Sequence, residues 1–351
     1  MKIALLTIWH IGNYGAEMQA YATVKALNEL GHEVCLIDLR LTDALHPTLK
    51  IKIAGQISMH SKWSSKLNSF WKEFMPGSIR YTSLEQLKSN PPQADIYLIG
   101  SDQVWNPVLT ESLSKAYFLD FGSNETRRIS YASSFGVSEF EDSPKFIEDY
   151  GPLLERLNCV SCREKTGVEL LKRYFNIDAV NVLDPTLLHT DYCEITGKLS
   201  EEETLVFYPI SSDVAQVEEM LRQLAIKLNL KYINANYKKM LFGSIKWDGL
   251  SVNEWLRTIG QAKFVMTPSF HGVAFSIIFH RQFIVVGTNA KRSSRIIDLL
   301  EVLGLSDRIY PSVDEALADK PWEKIIDYSQ VDAKLSTLRE ASWEYLSNSL
   351  K

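Results

Sequence analysis

His271 stands in the run Thr267-Pro268-Ser269-Phe270-His271-Gly272. A strand-like apolar segment, Phe264-Val265-Met266, precedes it, and a second apolar segment, Val273 to Phe279, reads as the start of a buried helix. The imidazole therefore falls where a strand gives way to a helix N-terminus. Open α/β sheets bind ligands at the carboxyl ends of their strands, and the N–H groups and dipole at a helix start attract anions. An imidazole titrates nearest neutrality of all side chains, so His271 is a candidate to meet a negatively charged ligand. The plainer alternative is a histidine that caps or packs. Residues 288–295 contain Lys291, Arg292, Ser293, Ser294 and Arg295, again after a strand end and before an apolar helix. Guanidinium groups bind phosphate or carboxylate through paired hydrogen bonds. Arg292 and Arg295 are candidate anion ligands; Lys291 is read as pointing to solvent.

The first half carries a second set. Gly100-Ser101-Asp102-Gln103 ends an apolar strand and offers close backbone approach, a hydroxyl and a carboxylate. Asp102 can accept hydrogen bonds from sugar hydroxyls or act as a base; an Asp cap on the next turn is the alternative. Asn13 and Gly15, in Asn13-Tyr14-Gly15, suit an anion or a sugar, and a tight turn explains them equally well. Arg163 follows the apolar segment Cys159 to Cys162 directly, with a structural ion pair to Glu164 as its alternative. Asp184-Pro185-Thr186 reads as a structural hinge edge. A Gly-x-Ser-x-Gly elbow, a P-loop and a His-Glu-x-x-His motif are absent from the sequence. Cys159 and Cys162 form a CxxC without two further ligands at suitable spacing, so no metal site is predicted. The four cysteines read as inert core thiols in a reducing cytosol.

These residues need a scaffold of alternating strands and helices. Ile3 to Ile8, a helix from about Ala16 to Leu30 stopped by Gly31, and Val34 to Asp38 make a βαβ start. Further strands are predicted at 95–100, 116–121, 128–132, 159–162 and 180–183, and helices at 62–74 and 165–175. The polar stretch 194–204 reads as a linker. The second half restarts with a strand at 204–209, a helix at 214–228, a strand at 231–234, a Ser-x-x-Glu-capped helix at 251–260, the strand–His271–helix unit, a strand at 283–287 and a helix at 295–303. Residues 331–350 form a last amphipathic helix. With 351 residues, 45% hydrophobic and 23% charged, the chain has the composition of an ordinary soluble protein of two domains. They are placed at 1–195 and 204–330, followed by the helix at 331–351. The net charge of −5 argues against nucleic acid as a partner. Lys50, Lys52, Lys62, Trp63 and Lys66, within 46–74, are candidates for peripheral membrane contact.

Seven segments, in order, resemble the polysaccharide pyruvyl transferases. They are Asn13-Tyr14-Gly15-Ala16 with Gln19 to Ala22, Gly100 to Asn106, Tyr131 to Gly136, Ser161 to Glu164, Leu183 to Thr186, Thr267 to Gly272, and Arg292 to Ile296 with Leu299-Leu300. The resemblance implies an α/β fold of two Rossmann-like domains facing across a cleft, as in GT-B glycosyltransferases. It implies phosphoenolpyruvate as donor, a sugar or lipid-linked saccharide as acceptor, and no cofactor. His271 would be the general acid that protonates the donor's methylene carbon, and Asp102 would activate or orient the acceptor. Arg163, Arg292 and Arg295 would bind the donor's anionic groups. Many members carry Arg two residues before the histidine, where this chain has Ser269. A GT-B glycosyltransferase using a nucleotide sugar and a non-catalytic glycan-binding protein are the alternatives.

Overall fold

A computed structural model of the chain describes residues 1–10, 12–41, 62–75, 77–140, 143–209, 215–235, 238–241, 244–247, 249–287 and 294–351. Its contacts divide it into two compact units. The first comprises Met1–Pro47, Glu73–His189 and Leu335–Lys351; the second comprises Thr48–Lys72 and Thr190–Lys334.

The first unit is built on five strands, β1 (Lys2–Leu6), β2 (Glu33–Leu39), β3 (Ile79–Tyr81), β4 (Ile96–Ile99) and β5 (Arg127–Ser130). They lie in the order β3-β2-β1-β4-β5, and all pair in parallel. Parallel strands covered on both faces read as unbroken apolar runs, and β4 is buried at every position. Helix α1 (Tyr14–Glu29) returns the chain from β1 to β2. Asn13 caps it, accepting from Gly15 N at 2.9 Å, and Gly31 ends it at φ +80°, the left-handed position that glycine takes without strain. Two short strands, β6 (Ser161–Cys162) and β7 (Val180–Asn181), pair with each other. Single parallel bridges Ile129–Cys159 and Ser133–Cys162 tie that segment to β5 and to the loop after it.

The second unit repeats the plan with another order. Strands β8 (Glu202–Phe207), β9 (Lys231–Asn234), β12 (Ala262–Met266), β13 (Gln282–Val286) and β14 (Ile309–Tyr310) lie as β14-β13-β12-β8-β9, all parallel. A separate hairpin joins β10 (Lys238–Leu241) and β11 (Ser244–Trp247). The helix Val252–Gln261 starts with the predicted capping box. Ser251 Oγ accepts from Glu254 N at 3.1 Å, and Glu254 Oε2 accepts from Ser251 N at 2.7 Å.

The helices predicted at 62–74 and 165–175 span Lys62–Phe74 and Lys165–Phe175. The strand expected at 116–121 is not one. Ser114–Tyr117 is helical, Leu119 takes a left-handed φ of +57°, and Asp120 N donates back to Lys115 O. An apolar run cannot by itself distinguish a buried strand from a buried turn. Here β5 already occupies the edge of β4, and Phe118 buries itself against Trp105 and Tyr150. The inert core thiols also need correction, since only Cys162 is buried and Cys193 is exposed.

The last helix, Tyr328–Ser349, contributes its residues from Leu335 onward to the first unit. Its side chains serve backbone groups there: Tyr345 Oη donates to Ser130 O at 3.0 Å, Arg339 Nε donates to Leu187 O at 2.7 Å, and Ser342 Oγ accepts from Leu183 N at 3.0 Å. Among the described residues no helix is long and apolar enough to cross a membrane. Of the proposed membrane-contact residues, Lys50 and Lys52 lie outside the described residues. Lys66 Nζ donates to Glu254 Oε2 at 2.9 Å.

One titratable group in this fold predicts a pH response. His10 follows β1 with a φ of +62°, and its pKa is pushed from 6.5 down to about 3 by burial first, then by Arg40, against the pull of Asp38, with Arg80 adding to the decrease. A histidine held neutral stabilises the fold fully above its unfolded pKa of 6.5, and that stability is lost as pH falls through 6.5 toward 3. Urea midpoints should therefore fall between pH 7 and pH 5. In His10→Asn, which tolerates the left-handed backbone, that part of the slope should vanish; an unchanged slope would assign the pH response to other groups.

Candidate active site

In each five-stranded sheet the strand order reverses once, and the reversal opens a crevice at the carboxyl ends of the two strands beside it. The order β3-β2-β1-β4-β5 reverses between β1 and β4. The segments after β1 and β4 flank that point, and they are tied together, since Thr7 Oγ1 donates to Ser101 O at 2.8 Å. The order β14-β13-β12-β8-β9 reverses between β8 and β12. There Thr267 Oγ1 donates to Tyr208 O at 2.7 Å, the same kind of tie in the second unit. Asp102 falls on a loop at the first of these points, and His271 in the first turn of the helix that follows the second.

Asp102 has a left-handed φ of +76°. A non-glycine residue in that region is strained, and such strain persists only where its surroundings over-determine it. Here the Asp102 carbonyl accepts from Val104 N at 2.8 Å and Ser134 N at 3.0 Å, and Oδ1 accepts from Gln103 N at 2.9 Å. Arg163 Nη2 lies 3.5 Å from the same Oδ1. Arg163 Nη1 is 2.8 Å from Asp184 Oδ2, and the side chains of Arg163 and Asp184 are 1% and 0% exposed. Burial alone would lower the Arg163 pKa; Asp184, Asp102 and Glu164 outweigh it, and the net shift is upward. The carboxylates expected of Arg163's ligand are thus met within this unit. Ser101 is fully buried, and its hydroxyl donates to Asp184 Oδ2 at 2.8 Å. Asp184, read from sequence as a hinge edge, is the hub of the network. Its signal was the one that marked Asp102: a carboxylate just beyond a strand.

In the second unit, His271 lies in the first turn of α2 (Phe270–Ile278) and is buried. Ser269 is the cap of that helix: its Oγ accepts from Gly272 N at 3.4 Å, and its own N donates to Thr267 Oγ1 at 3.0 Å. Gly272 is required for packing, because a Cβ there would stand 2.6 Å from Thr267 Oγ1. The imidazole thus sits at the positive end of a nine-residue helix. Arg295 is the second residue of the helix Ser294–Leu303 and is half-buried. Lys291 and Arg292 lie outside the described residues. Asn13 and Gly15 form the cap and first turn of α1 beside the β1 switch. His280 is exposed beyond the end of α2, 3.1 Å from Asp332 Oδ1 and stacked on Tyr328. Among the described residues no group of three or more His, Cys, Asp and Glu side chains is arranged to hold a metal ion.

Two Rossmann-like units with polar and titratable side chains at their switch points make this an α/β protein of the GT-B kind. Solved structures share the fold. A putative UDP-N-acetylglucosamine 2-epimerase from Listeria monocytogenes matches 95% of this chain and 91% of its own, at 11% identity and a TM-score of 0.53. S. aureus MnaA, solved with UDP, matches 94% and 90%, at 13% identity and a TM-score of 0.51. No curated protein sequence matches significantly. The family model for polysaccharide pyruvyl transferase matches residues 13–289. The chain belongs to that family.

Proposed function

We propose that this chain transfers the pyruvyl group of phosphoenolpyruvate to two hydroxyls of one sugar in a polysaccharide or its precursor, forming a cyclic ketal. What carries the reading is membership of the family together with His271 in the first turn of a switch-point helix. The imidazolium donates its proton to the methylene carbon, leaving an oxocarbenium-like centre at C2. A sugar hydroxyl attacks C2, and its proton restores the imidazolium by way of the site's bases. Phosphate leaves, the second hydroxyl attacks C2, and its proton departs with the phosphate. Donors aimed at developing charge do most of the work in such a site. Asp102 orients the acceptor hydroxyl. With Ser269 in place of a cationic residue, Arg292 and Arg295 take the phosphate and carboxylate, and Asn13, Gly15 and the α1 N-terminus offer amides to the acceptor. This chemistry calls for protonation and anion binding, and for no metal or cofactor. The donor is a cytoplasmic metabolite, so the reaction belongs to the cytoplasm, with a lipid-linked saccharide at the inner membrane face as one acceptor class.

The direct test supplies phosphoenolpyruvate and saccharide acceptors and follows phosphate release together with an acid-labile mass gain on the acceptor. Turnover of a nucleotide sugar with release of nucleoside diphosphate would overturn the reading. Arg295→Ala should raise KM for phosphoenolpyruvate by an amount worth about 2 kcal/mol, the low end for a charge pair that is only half-buried. Unchanged donor affinity would move the phosphate site away from this helix.

A further inference from the structure

We propose that Asp184 and Arg163 are positioning residues that select which oxygen of Asp102 meets the acceptor hydroxyl. The proposal rests on the reading above, in which Asp102 orients that hydroxyl.

Asp184 engages both of its oxygens inside the protein. Oδ1 accepts from Thr186 N at 3.0 Å and from Thr186 Oγ1 at 2.7 Å. Oδ2 accepts from Ser101 Oγ at 2.8 Å and from Arg163 Nη1 at 2.8 Å. A carboxylate held from four directions cannot rotate, and it fixes the plane of the guanidinium. The far nitrogen of that plane, Nη2, then faces Asp102 Oδ1 at 3.5 Å. Oδ1 also accepts from Gln103 N, so it is already engaged on two sides. The backbone cannot swing the carboxylate round, because the Asp102 carbonyl is held by Val104 N and Ser134 N in the left-handed conformation.

Among the described residues nothing donates to Asp102 Oδ2, and the Asp102 side chain keeps 15% of its surface exposed while its partners keep almost none. The network therefore leaves one oxygen of one carboxylate for an outside donor. An acceptor hydroxyl would bond to Oδ2. As its oxygen forms the bond to C2 of the pyruvyl group, the proton would pass to Oδ2 and from there, through water, back to the imidazole. Arg163 thereby serves the acceptor side of the reaction through Asp102, rather than touching the donor.

The test uses the full chain and the variants Asp184→Asn, Ser101→Ala, Asp102→Asn and the double variant Asp102→Asn/Asp184→Asn. Asp184→Asn is expected to lower kcat about 10²-fold, the cost of a misplacement of about 1 Å, with KM for phosphoenolpyruvate unchanged. Added to Asp102→Asn it should cost nothing more, because coupled residues are not additive. An equal loss in both backgrounds, or a raised KM for phosphoenolpyruvate with kcat retained, would overturn the proposal. Ser101→Ala removes a single donor to Asp184, should show a smaller loss of the same kind, and carries the test if Asp184→Asn does not fold. A crystal structure of whichever variant folds gives a second readout independent of turnover. A displaced or doubled Asp102 carboxylate supports positioning, and an unmoved one overturns it. If the wild-type chain turns over no phosphoenolpyruvate, the functional reading fails alone, and the crystallographic comparison still decides the positioning.

Discussion

His271→Ala lowers kcat about 10²–10⁴-fold, the usual contribution of a positioned general acid, and leaves far-ultraviolet circular dichroism unchanged. The imidazole is the titratable group in the first turn of α2, at the end where the helix dipole and the leading amides favour negative charge. An anionic donor bound there would present its methylene carbon to the ring. His280→Gln is the matched control. It removes an imidazole from the same neighbourhood of sequence, but from an exposed surface pair with Asp332, so its kcat should stay near that of the wild type. Near-normal turnover in His271→Ala would remove His271 from the mechanism.

Arg163→Met destabilises the first unit by about 3–5 kcal/mol, the range for removing one partner from a buried pair. The cost comes from what stays behind. Asp184 is wholly buried, and its Oδ2 would lose the guanidinium 2.8 Å away while keeping the Ser101 hydroxyl. Asp102 would lose its cation as well. Urea titration followed by tryptophan fluorescence should show the midpoint falling without a change in slope for that transition. A loss below 1 kcal/mol would mean that water or another cation replaces the guanidinium, and the network would then be peripheral to the fold.

The units of the fold are legible in the sequence because their signals are local. A buried parallel strand is an apolar run, a returning helix shows spaced apolar positions, and Ser251 with Glu254 announces a cap within four residues. The positions of Asp102 on a switch-point loop and of His271 at a switch-point helix start follow from the same local reading, since each comes soon after such a run. Three features needed the third dimension. Arg163 finds Asp184 and Asp102 as well as the field of its neighbour Glu164, because the bridges Asp102–Ser133 and Ser133–Cys162 bring the segment after β6 beside the loop after β4. The left-handed backbone of Asp102 has no composition signal, as the sequence shows an aspartate where glycine would be the cue. The run Ala116 to Phe121 satisfies a strand pattern, yet the edge it would need is already taken by β5.

The first unit is discontinuous along the chain, and this bears on the order in which the protein can be made. Its closing segment, Leu335 to Lys351, is separated from the rest of the unit by all of residues 190–334. A ribosome therefore releases β1 long before the helix that supplies Tyr345, Arg339 and Ser342 to that unit. Domains fold as they emerge, N-terminal ones first, but this one stays open while its successor is synthesised and is free to finish. Until then the backbone groups of Ser130, Leu183 and Leu187 lack the partners that the late helix brings. The unit that begins earlier in translation matures later, and a chain cut before residue 335 would hold a complete second unit and an incomplete first one.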